Sequence, residues 1–179
     1  AWVYVPPNYN EAAAIFARMD PEKLSYRGWD LWIQQGQFAT HLVSAWPDNA
    51  LKTRTQKRLA RKGQWQHVMV TYDGSGKPEG VKLFVDGAPA ETEAENAKGI
   101  TGSIRSAAPL TLAQRSEGSH FDGVALQDVR IYSRVLASAE VTALARQSLL
   151  RTLVGTPVAD WKPETRREVF DYFLTTRFT

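Results

Sequence analysis

The sequence predicts an all-β fold, an antiparallel two-sheet β-sandwich, with two C-terminal α-helices. Three observations carry that prediction. The first is the stretch 63–87, where Trp65, His67, Met69 and Thr71 alternate with Gln66, Val68, Val70 and Tyr72; after a break, Val81, Leu83 and Val85 alternate with Lys82, Phe84 and Asp86. Residues two apart share one face of a strand, so these runs are two strands with side chains on both faces of a sheet. The second is the return of similar runs at intervals of about ten residues, punctuated by Gly, Pro and Asp, as in antiparallel sandwiches or barrels. The third is a change of period beyond residue 136, from strand alternation to apolar residues at helical spacing.

In chain order, residues 1–5 form a strand that Pro6 and Pro7 end. Residues 14–19 form a second, stopped at Asp20 and Pro21. Residues 29–35 and 37–46 are two strands around Gly36, and Asp48-Asn49 turns the chain into 50–56. That strand sets Leu51, Thr53 and Thr55 on one face and Lys52, Arg54 and Gln56 on the other. Residues 73–80 are a loop rich in turn-forming types, and Asp86-Gly87 is the dipeptide of a tight hairpin. Residues 88–102 read as an acidic loop or weak edge strand, 110–114 as a short strand, 116–119 as a polar turn and 124–132 as a strand. Ser138 is placed to cap a helix carrying Val141, Leu144, Ala145 and Leu149, with Glu140 in its first turn; Gly155, Thr156 and Pro157 stop it. Pro163 opens a second helix with an apolar stripe of Val169, Phe170, Phe173 and Leu174. Ala1 already belongs to a strand, so the chain is expected to be a fragment of a longer one, with residues 1–136 as the sandwich and 137–179 as a helical extension leading to a further domain.

A chain of 179 residues, 43% hydrophobic and 23% charged, has the material for one well-buried core. The absence of cysteine excludes disulfides, thiolate metal sites, Cys-linked haem and cysteine nucleophiles, and leaves the redox compartment open. No apolar run approaches the ~18 residues of a membrane helix. The net charge of +3 by itself calls for neither nucleic acid nor a membrane surface as partner.

Four blocks carry a family resemblance: Trp65-Gln66-His67-Val68-Met69-Val70-Thr71-Tyr72-Asp73-Gly74; Val81 to Gly87; Leu110-Thr111-Leu112-Ala113; and Phe121-Asp122-Gly123 followed by Asp128-Val129-Arg130-Ile131-Tyr132-Ser133-Arg134-Val135-Leu136. In this order and spacing they resemble the LamG-like jelly-roll family of the concanavalin A-like lectin/glucanase superfamily, which includes laminin G domains and pentraxins. Arg27-Gly28-Trp29-Asp30-Leu31-Trp32, Trp46-Pro47-Asp48-Asn49 and the helical tail look like the version embedded in large secreted, haem-domain-bearing bacterial proteins. The resemblance implies a non-catalytic carbohydrate-binding module working outside the cytoplasm, calcium at a rim in many relatives, and one more strand ahead of Ala1.

The candidate ligand residues are Trp32, Trp46, Lys52, Arg54 and Arg58. Flat rings take the C–H faces of sugars while amides and charged groups take their hydroxyls. Trp29 and Trp32 lie on opposite faces of one strand and Trp46 ends the next; Trp65 is assigned to the core. Lys52, Arg54, Lys57, Arg58, Arg61 and Lys62 form a basic run suited to an anionic polysaccharide, against the ordinary reading of such a run as a solvated edge. Nucleic acid is disfavoured because no aromatics interleave the run. Glu91, Glu93 and Glu95 have the spacing of a glycosidase pair but read as an exposed acidic loop, and Asp128 with Arg130 reads as a structural ion pair. Asp73, Asp86 and Asp122 could face calcium, yet each precedes a glycine and suits a turn. The competing functional reading is a structural module that docks onto neighbouring domains of its parent chain through the Val169, Phe170, Phe173 and Leu174 stripe; a glycoside hydrolase ranks third.

Overall fold

The structure is a computed structural model and describes residues 1–9, 11–115, 118–154 and 157–177. Ser116, Gly155, Thr156 and the side chain of Leu149, all named above, lie outside what is described. The strands are β1 (Trp2–Tyr4), β2 (Ala13–Met19), β3 (Gly28–Gln34), β4 (Gln37–Ala45), β5 (Asn49–Thr55), β6 (Trp65–Tyr72), β7 (Val81–Val85), β8 (Ala88–Pro89), β9 (Thr92–Gly99), β10 (Thr111–Leu112) and β11 (Ala125–Gln127). Two helices follow, α1 (Ser138–Val154) and α2 (Pro163–Arg177). Among the described residues the strands form two antiparallel sheets, one ordered β11-β1-β6-β7-β8 and the other β10-β2-β3-β4-β5-β9. Together they make an antiparallel sandwich, as the alternating runs predict, of the jelly-roll type that the resemblance implies.

The core lies between the sheets. Val3 and Val5, Ile15, Leu31 and Ile33, Phe38, Val68 and Leu83 point into it from six strands or their ends. A bulge between Ala14 and Phe16 sets both Ile15 and Phe16 towards this core and leaves Ala14 and Ala17 on the opposite face. Trp29 faces in and Trp32 faces out, as strand alternation requires.

On the outer face of the five-stranded sheet, α1 covers Met69 and Phe84 with Val141, Leu144 and the preceding Leu136. The β7–β8 turn supports it: Thr142 Oγ1 donates to the Gly87 carbonyl at 2.7 Å. Gly87 has φ +82°, and a Cβ there would stand 3.0 Å from Ala145 Cβ, so both the turn and the helix approach need glycine. The helix start differs from the expectation. Ala137 is the capping position, and Glu140 reaches back to accept its N–H at 2.8 Å while taking both terminal nitrogens of Arg134. Ser138 is the first helical residue instead of the cap. These contacts hold the Glu140 carboxyl at about 2, with the Arg134 hydrogen bond as the leading cause.

Of the two readings of residues 88–102, loop or weak edge strand, the edge strand forms over β9, which carries Glu93 and Glu95 and pairs with β5, Arg54 opposite Glu93; Glu91 precedes it. Two further expectations need correction. Trp65 is not core; it is 41% exposed at the start of β6, its ring 5.8 Å from that of Tyr4. The 124–132 strand is only Ala125–Gln127, pairing with β1. Asp128 and Arg130 do form an ion pair, at 2.7 Å. On α2, Phe170, Phe173 and Leu174 are exposed. No helix of the described residues is long and apolar enough to cross a membrane.

Candidate functional site

The outer face of the six-stranded sheet is where the sequence's polar and aromatic residues meet. Strand register builds it row by row. Thr111 stands opposite Ala17, Ala17 opposite Asp30, Asp30 opposite His41, His41 opposite Lys52 and Lys52 opposite Asn96. Directly opposed residues share a face, so Asp30, His41, Lys52 and Asn96 form one polar row across four strands. Beside this row lie Ala14, Ala39 and Ala50 together with Met19, Trp32 and Val43, all of them buried.

At the centre Asp30 is a buried carboxylate with all its oxygens engaged. Oδ1 accepts the His41 backbone N–H at 2.8 Å and lies 2.9 Å from His41 Nδ1. Oδ2 accepts Arg115 Nε at 3.0 Å and Nη2 at 2.6 Å. Arg115 arrives from the segment after β10, and its Nη2 also lies 3.0 Å from His41 Nδ1. Burial alone would raise the Asp30 pKa, but the charges and hydrogen bonds of His41 and Arg115 outweigh it and hold the carboxyl below its ordinary value.

Aromatic rings wall this cluster. The Arg115 guanidinium lies 4.1 Å from the Trp32 ring centre and 5.8 Å from that of Tyr26. Trp32 and Trp46 flank His41 edge-on, at 5.6 and 5.7 Å. Trp46 is 37% exposed and is fixed by its backbone N–H donating to the Ser25 carbonyl at 3.0 Å. Trp32 is only 8% exposed. Its ring therefore belongs to the floor and presents no free platform, because Arg115 occupies its face.

The basic run does not form a single patch. Lys52 donates to Glu95 Oε1 at 2.8 Å and Arg54 to Glu93 Oε1 at 2.8 Å, with Glu95 Oε2 3.7 Å from the same Arg54 nitrogen. Gln34 also donates to Glu95, at 2.9 Å. For Glu95 desolvation raises the pKa, yet the Lys52 and Gln34 hydrogen bonds and the charges of Lys52 and Arg54 hold the carboxyl low. Arg61 pairs with Asp86 at 2.6 Å and Lys57 with Glu91 at 3.6 Å. Arg58 stands apart, next to Gly36 in the β3–β4 turn, lining a separate cavity of about 430 Å³ with Tyr9, Glu11 and Lys62. Of the five candidates, the structure thus sets Trp32, Trp46, Lys52 and Arg54 on one face and Arg58 elsewhere.

Asp30, His41 and Arg115 are the site residues that the sequence reading passes over. The first two are derivable, because a two-residue turn at Gln35-Gly36 fixes Asp30 opposite His41. Arg115 carries no such signal. Among the described residues no group of three or more His, Cys, Asp or Glu side chains is placed to hold a metal ion.

Comparison with known proteins agrees with this architecture. A laminin G family model, described as concanavalin A-like lectin/glucanases superfamily, matches residues 1–142. Curated protein sequences gave no match. Among solved structures, the CBM40 of Ruminococcus gnavus IT-sialidase bound to alpha2,3 sialyllactose is 17% identical with a TM-score of 0.62, over 80% of this chain and 79% of that one. The receptor binding domain of botulinum neurotoxin type G is 16% identical with a TM-score of 0.56, and that of serotype D 16% identical with 0.57. These matches cover 82% and 84% of this chain but only 36% of each toxin domain, so the chain spans about a third of their length. At such identities the likeness is one of fold, and the family match over most of the sandwich and the first turns of α1 completes it: the chain belongs to the concanavalin A-like lectin/glucanases superfamily.

Proposed function

We propose that this chain is a non-catalytic glycan-binding module whose ligand lies on the outer face of the six-stranded sheet, above Asp30, His41 and Arg115. The observation that carries this reading is the exposed Trp46 ring beside a fixed, charge-balanced cluster of Asp30, His41 and Arg115. Trp46 takes the apolar face of a sugar ring while Arg115, Lys52 and Asn96 face its oxygens. Arg115 at the centre favours an acidic sugar, since a guanidinium pairs well with a carboxylate. The fold neighbour crystallised with alpha2,3 sialyllactose supports a glycan ligand. The absence of a catalytic role is supported by the acids themselves. Glycoside hydrolysis needs one carboxyl of raised pKa as the acid, whereas Asp30 and Glu95 are both held low by cations. In this reading the module works outside the cytoplasm, within a larger protein, on an anionic polysaccharide; fractionation of the source cells checks the location.

The test is calorimetric titration of neutral, sulfated, uronate and sialylated glycans at two salt concentrations, with and without calcium. Binding that weakens with salt and drops about tenfold, ~1.4 kcal/mol, in Trp46→Ala supports the reading. Binding that is unchanged in Trp46→Ala but lost in Arg58→Ala would move the site to the β3–β4 turn. No binding to any glycan would favour the second reading, a structural module that docks onto domains of its own parent chain. That reading has one observation in its favour: Phe170 on α2 is 59% exposed, with Phe173 and Leu174 exposed beside it.

A further inference from the structure

The cavity of about 430 Å³ beside the β3–β4 turn shares no residue with the polar row. The buried Val5 and Ile33, with Ala60, give it an apolar floor, and the exposed Glu11, Arg58 and Lys62 stand at its mouth. Along 58–62 the side chains alternate. Arg58, Ala60 and Lys62 line the cavity, whereas Leu59 packs against the core and Arg61 turns to Asp86. Hydrogen bonds fix this wall on both sides. Ala60 N–H donates to the Gly36 carbonyl at 3.0 Å and Gly63 N–H to that of Val5 at 2.7 Å. From the interior, the buried Gln66 accepts the Arg61 N–H and donates to the Leu59 carbonyl at 2.9 Å.

Two groups of this wall have hydrogen-bonding capacity left unused. The stem of Arg58 runs along the turn: a Cβ on Gly36 would stand 3.4 Å from Arg58 Cβ and 3.7 Å from its Cγ. Lys52, Arg54, Lys57 and Arg61 each pair with a carboxylate, but among the described residues the Arg58 guanidinium has neither an ion pair nor a hydrogen-bond acceptor. The other group is Tyr9. Its ring lies against Phe121, centroids 4.1 Å apart, and its hydroxyl is buried with no hydrogen-bond partner among the described residues. A hydroxyl in that state weakens the fold until an acceptor reaches it. Burial, helped by the charges of Glu11 and Asp122, pushes its pKa up to about 12, so it stays a donor at neutral pH.

We propose that this cavity binds a small amphiphilic monoanion, a carboxylate carried on a compact aromatic or short acyl body. The body rests on Val5, Ile33 and Ala60. The carboxylate pairs with Arg58, whose planar fork matches it, and a ligand oxygen supplies the acceptor that the Tyr9 hydroxyl lacks. Arg58 and Lys62 against Glu11 leave one positive charge in excess at the mouth, which favours an anion over a neutral molecule. The volume is in the range of small-molecule sites. Against that floor the hydroxyls of a sugar would go unpaired, so this ligand is not the glycan of the polar row, and the inference does not depend on that reading.

Titration of the whole chain with benzoate, followed by amide NMR, tests the proposal. Saturable shifts are expected at the Gly36 and Ala60 amides, with a Kd of about 1 mM or tighter. Arg58→Ala, an exposed position, weakens binding about tenfold or more. Tyr9→Phe weakens it about fivefold and, by removing the orphaned hydroxyl, raises the Tm of the ligand-free chain by about 2–5 °C. The absence of saturable shifts at these amides up to about 20 mM benzoate overturns the proposal. So does equal affinity for benzyl alcohol, which lacks the charge, or for inorganic phosphate, which lacks the apolar body. Affinity unchanged in both variants overturns it as well, and so do shifts confined to the His41 and Lys52 amides, which would place the carboxylate on the polar row.

Discussion

The two outer faces of the sandwich are built by the same strand alternation and end in opposite states. On the five-stranded sheet, Met69 and Phe84 point outward and α1 buries them with Val141 and Leu136. On the six-stranded sheet the outward positions are alanines, Met19 and Val43, a buried ion cluster, the buried Trp32 and the exposed Trp46, and no helix of the described residues packs there. In the proposed reading one face uses its outward side chains for stability and the other carries the ligand contact. Substitutions on the two faces should therefore separate folding from binding.

The largest effect is expected on the covered face. Phe84→Ala removes a side chain that is 1% exposed and costs about 3–5 kcal/mol in urea unfolding, leaving the glycan affinity of the folded fraction unchanged. A loss of affinity in that variant would break the comparison. Asp30→Ala, on the open face, costs about 3 kcal/mol by leaving Arg115 and His41 without their carboxylate, and unlike Phe84→Ala it also abolishes glycan binding. Below these comes pH. His67, on β6 opposite Trp2 of β1 and within reach of the Ala1 ammonium charge, is pushed down to about 4, chiefly by burial. The unfolded chain thus takes up this proton first, and stability falls as pH drops from about 6.5 towards 4. Asp30 acts lower still: its stabilisation is present above the ordinary carboxylate value of about 3.9 and is lost as pH falls through its depressed folded pKa. His67→Gln should flatten the upper part of this pH curve and leave the lower part, as chemical denaturation at stepped pH would record. Trp46→Ala comes next, with its tenfold loss of affinity and a stability change within about 0.5 kcal/mol. The smallest effect is Glu93→Gln, at 0 to about 1 kcal/mol, because its pair with Arg54 is half in solvent.

Most strands were legible because alternation and turn dipeptides are local signals. The polar row was half legible for the same reason: once Gln35-Gly36 is a turn, Asp30 must face His41. Lys52 comes opposite only because a bulge between Val43 and Ala45 shifts the β4–β5 register, which the Asp48-Asn49 turn does not reveal. What alternation cannot say is how deep a residue sits along its strand. Trp65 shares a face pattern with Met69, but it lies at the strand's first position, beyond the reach of α1. Nor does composition reveal pairing at an edge. The glutamates of β9 lack apolar alternation because an outermost strand whose side chains meet solvent and the cations of β5 needs none. Residues 128–132 show the converse, a strand pattern that no strand among the described residues pairs with. Arg115 was illegible because its place depends on two residues of β10 pairing with β2.

That last dependence bears on the order in which the molecule assembles. The β3–β4–β5 meander closes through short turns, so the Asp30–His41 pair forms between residues eleven apart. Arg115 joins them from eighty-five residues away. Contacts of such separation form late, after the loop-closure entropy of the intervening chain has been overcome. The Arg115 contact is thus expected among the last to form, and under the proposed function a ligand seated over it would favour the finished fold, adding stability in proportion to the logarithm of ligand concentration.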